Sequence, residues 1–291
     1  YSALVFDCEQ AAVVEQAAGS STGLIDVTGA GMRPDGAIII GIGNNNALPN
    51  TNTAARFSIG FVNRRGQQVC LAGGAADNVA TTNTRASLWD NRCIVRYNNT
   101  PSSGSVEEFS FVGFTADGCR LNCTKASADT RWFFLFLKGI DIGIQTFAQP
   151  TSTGVQYVTG ARPRPQAGVV LGIHGGSLNN ATAGVFSSSV GFFDDEATQR
   201  CAVQAVSNGQ AASSSNRLRE WDDDEIVNIV NGTGSVENEG NLSSVLSDGA
   251  ALDWTTADAT ARWNALITFG DIESGRRSMT STRGDCWRCR D

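Results

Sequence analysis

The chain has one histidine, His174, so any Ser-His or Cys-His nucleophile pairing has a single possible base. A His-rich zinc centre cannot be assembled from it. His174 follows an apolar run and reads as a structural residue. Carboxylates are plentiful, with 29 acidic side chains. Acid–base work on a glycosidic bond requires two of them at a defined separation in space. Glu107 and Glu237 are the best-placed repeated acids, followed by Asp117 and Asp248, which sit in Asp-Gly turns. Asp222-Asp223-Asp224-Glu225 offers oxygen ligands for calcium, but consecutive carboxylates lack the alternating spacing of a calcium loop. A solvated turn or helix start is the expected reading. These residues define no catalytic, cofactor or metal site.

The eight cysteines are Cys8, Cys70, Cys93, Cys119, Cys123, Cys201, Cys286 and Cys289. An even number suits a disulfide framework in an oxidising setting, with the pairing left open. Cys286-Trp287-Arg288-Cys289 has redox-like spacing, but no thioredoxin-type helix pattern accompanies it. Trp89 and Trp221 form one repeated tryptophan pair, and Trp132 and Trp263 another. Such rings can stack on sugars, so Trp89 and Trp221 are candidate glycan contacts; a core or interdomain role is the competing reading. Sequons at Asn98, Asn122, Asn180, Asn231 and Asn241 matter only in a eukaryotic secretory setting. Arg283-Gly284-Asp285 is short enough to be coincidence.

What must position these residues is a sequence written twice. Ser21-Thr22-Gly23 and Val27-Thr28-Gly29-Ala30 return as Ser152-Thr153-Gly154 and Val158-Thr159-Gly160-Ala161. Ile38 to Ile42 returns as Val169 to Ile173, Ser58-Ile59-Gly60-Phe61 as Ser189-Val190-Gly191-Phe192, and Cys70 as Cys201. Further on the register slips by one, setting Trp89 against Trp221 and Gly104-Ser105-Val106-Glu107 against Gly234-Ser235-Val236-Glu237. It recovers at Asp117-Gly118 and Asp248-Gly249. A period of this length is a domain rather than a solenoid unit. The expected organisation is a first repeat over 1–145 (core 20–139), a second over 146–272 (core 151–270), and a tail over 273–291. The tail's cysteines could staple a neighbouring subunit.

Short apolar or alternating runs bounded by Gly, Asn, Asp and Ser predict strands and turns. Gly36 to Ile42 reads as a strand buried on both sides. Hairpins are expected about Asn63-Arg64-Arg65-Gly66, Asp194-Asp195-Glu196, Asp117-Gly118 and Asp248-Gly249. Helical periodicity is nearly absent; Asp7 to Ala18 and Asp222 to Val230 are the two short helix candidates. The fold class is therefore all-β, as two tandem β-sandwich or jelly-roll-like domains with a short cysteine-containing C-terminal tail.

Charged residues make up 18% of the chain and the net charge is -7. That balance argues against a nucleic-acid or anionic membrane partner. The longest apolar run, Trp132 to Leu137, is strand-sized rather than membrane-spanning. No cofactor is implied.

Ser21-Thr22-Gly23, Val27-Thr28-Gly29, Pro34 and the β-branched run after it form one phrase. Phe57-Ser58-Ile59-Gly60-Phe61, Phe114-Thr115-Ala116-Asp117-Gly118-Cys119-Arg120-Leu121 and Trp132-Phe133-Phe134-Leu135-Phe136-Leu137-Lys138-Gly139 continue it. Together they resemble a module of structural proteins of tailed bacteriophages, which commonly carry two β-rich copies. The resemblance runs from about residue 20 to 270 and carries no catalytic residues. It implies a non-enzymatic virion protein, a head decoration, collar or tail-appendage subunit, located on the extracellular particle. Its partners would be other virion proteins, copies of itself and host surface glycans. The alternative is a carbohydrate-binding or receptor-contacting module of a fibre, or a secreted lectin.

Overall fold

The computed structural model describes residues 8–17, 19–42, 55–76, 83–98, 104–127, 130–183, 185–207, 217–222, 224–231 and 234–272. Among these, all regular structure is strand. The first half carries β1 (Gln10–Ala17), β2 (Gly23–Thr28), β3 (Gly36–Ile42), β4 (Ala55–Asn63) and β5 (Gln68–Ala75). It continues with β6 (Thr84–Trp89), β7 (Ile94–Tyr97), β8 (Ser105–Thr115), β9 (Gly118–Lys125) and β10 (Arg131–Lys138). The second half carries β11 (Ile140–Ala148), β12 (Gly154–Thr159), β13 (Ala167–Ile173), β14 (Thr182–Ala183), β15 (Val185–Asp194) and β16 (Gln199–Ser207). It ends with β17 (Arg217–Asp222), β18 (Val227–Val230), β19 (Val236–Leu246), β20 (Gly249–Thr256) and β21 (Trp263–Asp271).

The strands form four antiparallel sheets. A seven-stranded sheet runs β1-β10-β3-β4-β5-β6-β14, and a four-stranded one β2-β9-β8-β7. The second half answers with a six-stranded sheet, β11-β21-β13-β15-β16-β17, and a four-stranded one, β12-β20-β19-β18. The two halves thus place corresponding strands in the same order. The extra strand β14 crosses over to pair with β6 of the first half.

Each apolar layer follows from the two-residue period of a strand. On β3, Ile39 points to a cluster with Val27, Phe109, Cys119 and Leu121 of the adjoining small sheet. Its neighbour Ile38 points the other way, to a cluster with Phe61, Leu71, Val169, Leu171, Ile267 and Phe269. On β10, Trp132, Phe134 and Phe136 take the first direction, and Leu135 and Leu137 the second. A third cluster joins Val170, Phe193 and Leu266 to Val158, Ile229, Leu252 and Trp254. The two large sheets therefore face each other across a shared core, with a small sheet outside each. This explains the apolar runs of β3, β10 and β13: both faces are covered. Ile40, 48% exposed, is the exception.

The hairpins form where turn chemistry placed them. Asn63 Oδ1 accepts the Arg65 and Gln67 amides, each at 3.0 Å. Asp194 Oδ1 does the same for Glu196 at 3.1 Å and Thr198 at 2.8 Å. Gly66 occupies the left-handed position in the first tip (φ 81°) and Ala197 in the second (φ 65°). The Asp-Gly turns clamp the Val-Thr-Gly phrases. Asp117 accepts the Gly29 and Gly31 amides at 2.9 and 2.6 Å, and Asp248 accepts that of Gly160 at 3.1 Å. Gln68 Oε1 takes the Phe111 amide at a β8 bulge, and Gln199 Oε1 the Leu242 amide at the matching bulge of β19. Gly60 and Gly191 are required by close approach. A Cβ there would lie 1.9 Å from the Cys93 carbonyl oxygen and 1.8 Å from that of Ile226.

Both helix candidates are strands. Within Asp7 to Ala18, Gln10–Ala17 pairs with β10 as a sheet edge, its burial alternating residue by residue. Within Asp222 to Val230, Asp222 ends β17 and Val227–Val230 is β18, fully buried. In each case pairing with a neighbouring strand outweighs local helix preference. The exposed edge of β11 is covered from the first half. Asn63 Nδ2 and Arg65 Nη2 donate to the Ile142 carbonyl at 2.8 and 2.7 Å, and Gln67 Nε2 to that of Ile144 at 3.1 Å.

Candidate functional site

Among the described residues of the second half, His174 sits in a cluster with Glu237, Arg262 and Asp258. Its Nε2 lies 2.6 Å from Glu237 Oε2. Arg262 Nη2 lies 3.1 Å from the same oxygen and also pairs with Asp258. Arg262 Nη1 donates to the His174 carbonyl at 3.0 Å. Burial, then the Arg262 charge, pushes the imidazole below its ordinary value, against the pull of Glu237. The neutral ring therefore donates from Nε2 to Glu237, leaving Nδ1 buried without a partner. Ser187 lies across the ladder, its carbonyl accepting the His174 amide at 3.1 Å. Its hydroxyl is wholly buried and makes no hydrogen bond. Serine, imidazole and carboxylate are thus neighbours without the proton-relay bond or the solvent access that nucleophilic attack needs.

The folded state disfavours the imidazolium, so the unfolded chain binds that proton more readily. Stability contributed by neutral His174 is present above the unfolded pKa of about 6.5 and lost as pH falls below it. His174→Gln should flatten this part of the curve. Urea midpoints measured between about pH 5 and 8 would check it; equal slopes in both proteins would contradict it.

The repeated acids separate. Corresponding rungs set Ile94 opposite Phe109 and Val227 opposite Gly240, so Glu107 corresponds to Asn238 and Glu237 to Val106. The local slip read from the sequence is absent from β8 and β19. Asp117 and Asp248 are true counterparts, and both act as turn clamps. The same ladder reading divides the tryptophans. Cys70 pairs with Trp89, whereas Cys201 pairs with Asp222 and Ala202 with Trp221. The two positions differ by one rung and fall on opposite sheet faces. Trp89 is half-buried and its Nε1 donates to Ser87 Oγ at 2.7 Å; the Trp221 side chain lies outside the described residues. Trp132 faces Gly41, but Gly172 faces Asn264, so Trp132 and Trp263 are also one rung apart. They enter different cores.

The expected disulfides do not form among the described cysteines, Cys8, Cys70, Cys93, Cys119, Cys123 and Cys201. Cys119 and Cys123 share β9, about 13 Å apart along an extended strand, beyond the reach of an S–S bond. Burial pushes Cys70 and Cys119 up to about 12 and Cys93 well above its ordinary value. These buried thiols stay protonated and unreactive. Cys286 and Cys289, with Arg283-Gly284-Asp285, lie outside the described residues. So do Asp223 and the side chain of Asp222; no metal-holding group of His, Cys, Asp or Glu occurs among the described residues.

Sequence reasoning passed over a pair of surface concavities. One, about 650 Å³, lies among Arg33, Asp35, Arg64, Arg65, Phe111 and Phe114. The other, about 350 Å³, includes Arg164, Gln166, Asp195 and Asp271. Arg33 and Arg164 hold the same place in the two halves, as do Asp35 and Gln166, and Arg64 and Asp195. The only advance signal was Asn63-Arg64-Arg65-Gly66 standing against the acidic Asp194-Asp195-Glu196. No known protein family, curated protein or solved structure matches the chain.

Proposed function

We propose that the chain is a non-enzymatic structural protein exposed on a tailed-phage particle, a head decoration, collar or tail-appendage subunit. It would be built of two tandem β-sandwich domains. The observation that carries this reading is the core shared by the two large sheets, from Ile38, Phe61 and Leu137 to Val169, Ile267 and Phe269. It joins two halves of the same strand order through one apolar core and leaves a small sheet outward on each side. A block of that kind suits holding surfaces in register. Exposed apolar side chains at matched places on the outer edge strands, Leu24 (64%) and Val155 (50%), give assembly two equivalent footholds. The resemblance of the turn-and-strand phrases to those of phage structural proteins adds to this.

The test is whether the protein is part of the particle. Mass spectrometry of gradient-purified virions should find it at a fixed stoichiometry to the major capsid protein, and antibodies should label intact particles. Recovery only from the soluble fraction of infected cells would refute the assignment.

A further inference from the structure

We propose that the concavity beside the β4–β5 hairpin tip binds an acidic saccharide, with Arg33 and Arg64 holding its carboxylate or sulfate and Phe114 meeting its ring. This does not depend on where the protein resides.

Arg33 sits in the turn before β3, Arg64 and Arg65 at the hairpin tip, and Phe111 and Phe114 on either side of the β8 bulge. The volume, about 650 Å³, lies within the range of small-ligand sites. The arginines are not equivalent. Arg65 is committed to the fold: Nη1 lies 2.6 Å from Asp141 Oδ2, and Nη2 donates to the carbonyls of Ile142 at 2.7 Å and Arg162 at 2.6 Å. Arg64 makes one longer contact, 3.3 Å, with the oxygen that Arg65 already neutralises. Arg33 is exposed and has no ion-pair partner among the described residues. Asp35, the acid in the lining, accepts the Gly139 amide at 3.0 Å. Three guanidiniums thus face two carboxylates, Asp35 and Asp141. The surplus positive charge stands in a hollow of a chain whose net charge is -7.

Guanidinium forks match the planar oxygens of a carboxylate and the edge of a sulfate. Phe111 and Phe114 form an edge-on pair with centroids 4.8 Å apart. Phe111 belongs to the core, while Phe114 is partly exposed on the hollow. A cation beside an aromatic surface suits a sugar bearing an acidic group better than a free inorganic anion. The matching hollow of the second half is an internal control. It keeps Arg164 and has Asp195 where Arg64 stands; beside it, the register puts Glu196 in the place of Arg65 and Leu242 and Val245 in the places of the two phenylalanines. The second hollow is smaller, about 350 Å³; among the described residues the cation surplus and the aromatic wall belong to the first alone.

The experiment titrates the full chain calorimetrically with a sulfated uronic-acid disaccharide, its neutral unsulfated analogue, sodium sulfate and sodium phosphate. The acidic disaccharide should bind, with the neutral sugar and both inorganic anions weaker by about tenfold or more, the range for losing one charge-assisted contact. Arg33→Ala and Arg64→Gln should each weaken it similarly, with unchanged melting midpoints, and Arg164→Ala should leave it unchanged. Absence of binding by the acidic disaccharide would overturn the proposal. Equal binding by wild type and both variants would do the same. Inorganic sulfate binding as tightly as the sugar would reduce the site to a simple anion hole and overturn the saccharide assignment.

Discussion

Arg96→Ala should destabilise the chain by about 3–5 kcal/mol, the range for stranding one member of a buried ion pair. Arg96 Nε lies 2.5 Å from Glu107 Oε2, with side chains 4% and 0% exposed. Burial raises the Glu107 carboxyl above its ordinary range, and the neighbouring Arg96 charge is the largest influence opposing that. Without the guanidinium, Glu107 must take up a proton or carry an uncompensated charge. The bond from Arg96 Nη2 to Ser127 Oγ, 2.5 Å, would be lost as well. The second half shows that this rung can be built without charge. Ile229 and Asn238 stand there, both wholly buried, and the Asn238 carbonyl oxygen accepts from Gln149 and from the Asp258 amide. The double replacement Arg96→Met with Glu107→Leu should therefore recover most of the loss. Denaturant unfolding of wild type, single and double variants reads the difference. A single variant within about 1 kcal/mol of wild type would show that the pair contributes little.

The hairpins were legible because their turns are local: Asn63 and Asp194 each satisfy amides two and four residues ahead. The doubly covered strands were legible because a β-branched run with no polar alternation has no solvent face. The pairing of distant functional residues was not, because it depends on bulges and loop lengths that add or remove a rung without changing the local phrase. Arg131-Trp132 and Arg262-Trp263 look like copies, yet Trp132 enters the core under the small sheet and Trp263 packs against the core between the large ones. Matching letters did not mean matching faces. The basic concavity was hidden for a different reason. Arg33, Arg64 and Phe114 come from three segments that only the sheet order brings together, and each segment read alone is a turn or a strand end.

Phe269→Ala tests the packing on which the proposed role rests. Phe269 is 2% exposed in the core between the large sheets, its ring edge-on to Phe61 at 6.3 Å and 60°. Truncation should cost about 3–5 kcal/mol, combining lost transfer energy with the cavity left behind. How that loss is distributed matters more than its size. Phe269 lies on β21 of the second half, but the cavity would open against Phe61 of the first. If the shared core makes the block one cooperative unit, hydrogen exchange should speed up together in β4 and β5 and in β13 and β21, with unfolding still a single transition. If the halves were beads joined by a short connection, β4 and β5 would keep wild-type protection while the second half melted early. A subunit that holds surfaces in register requires the first outcome, since two bodies free to shift against each other could not set the spacing of what they carry.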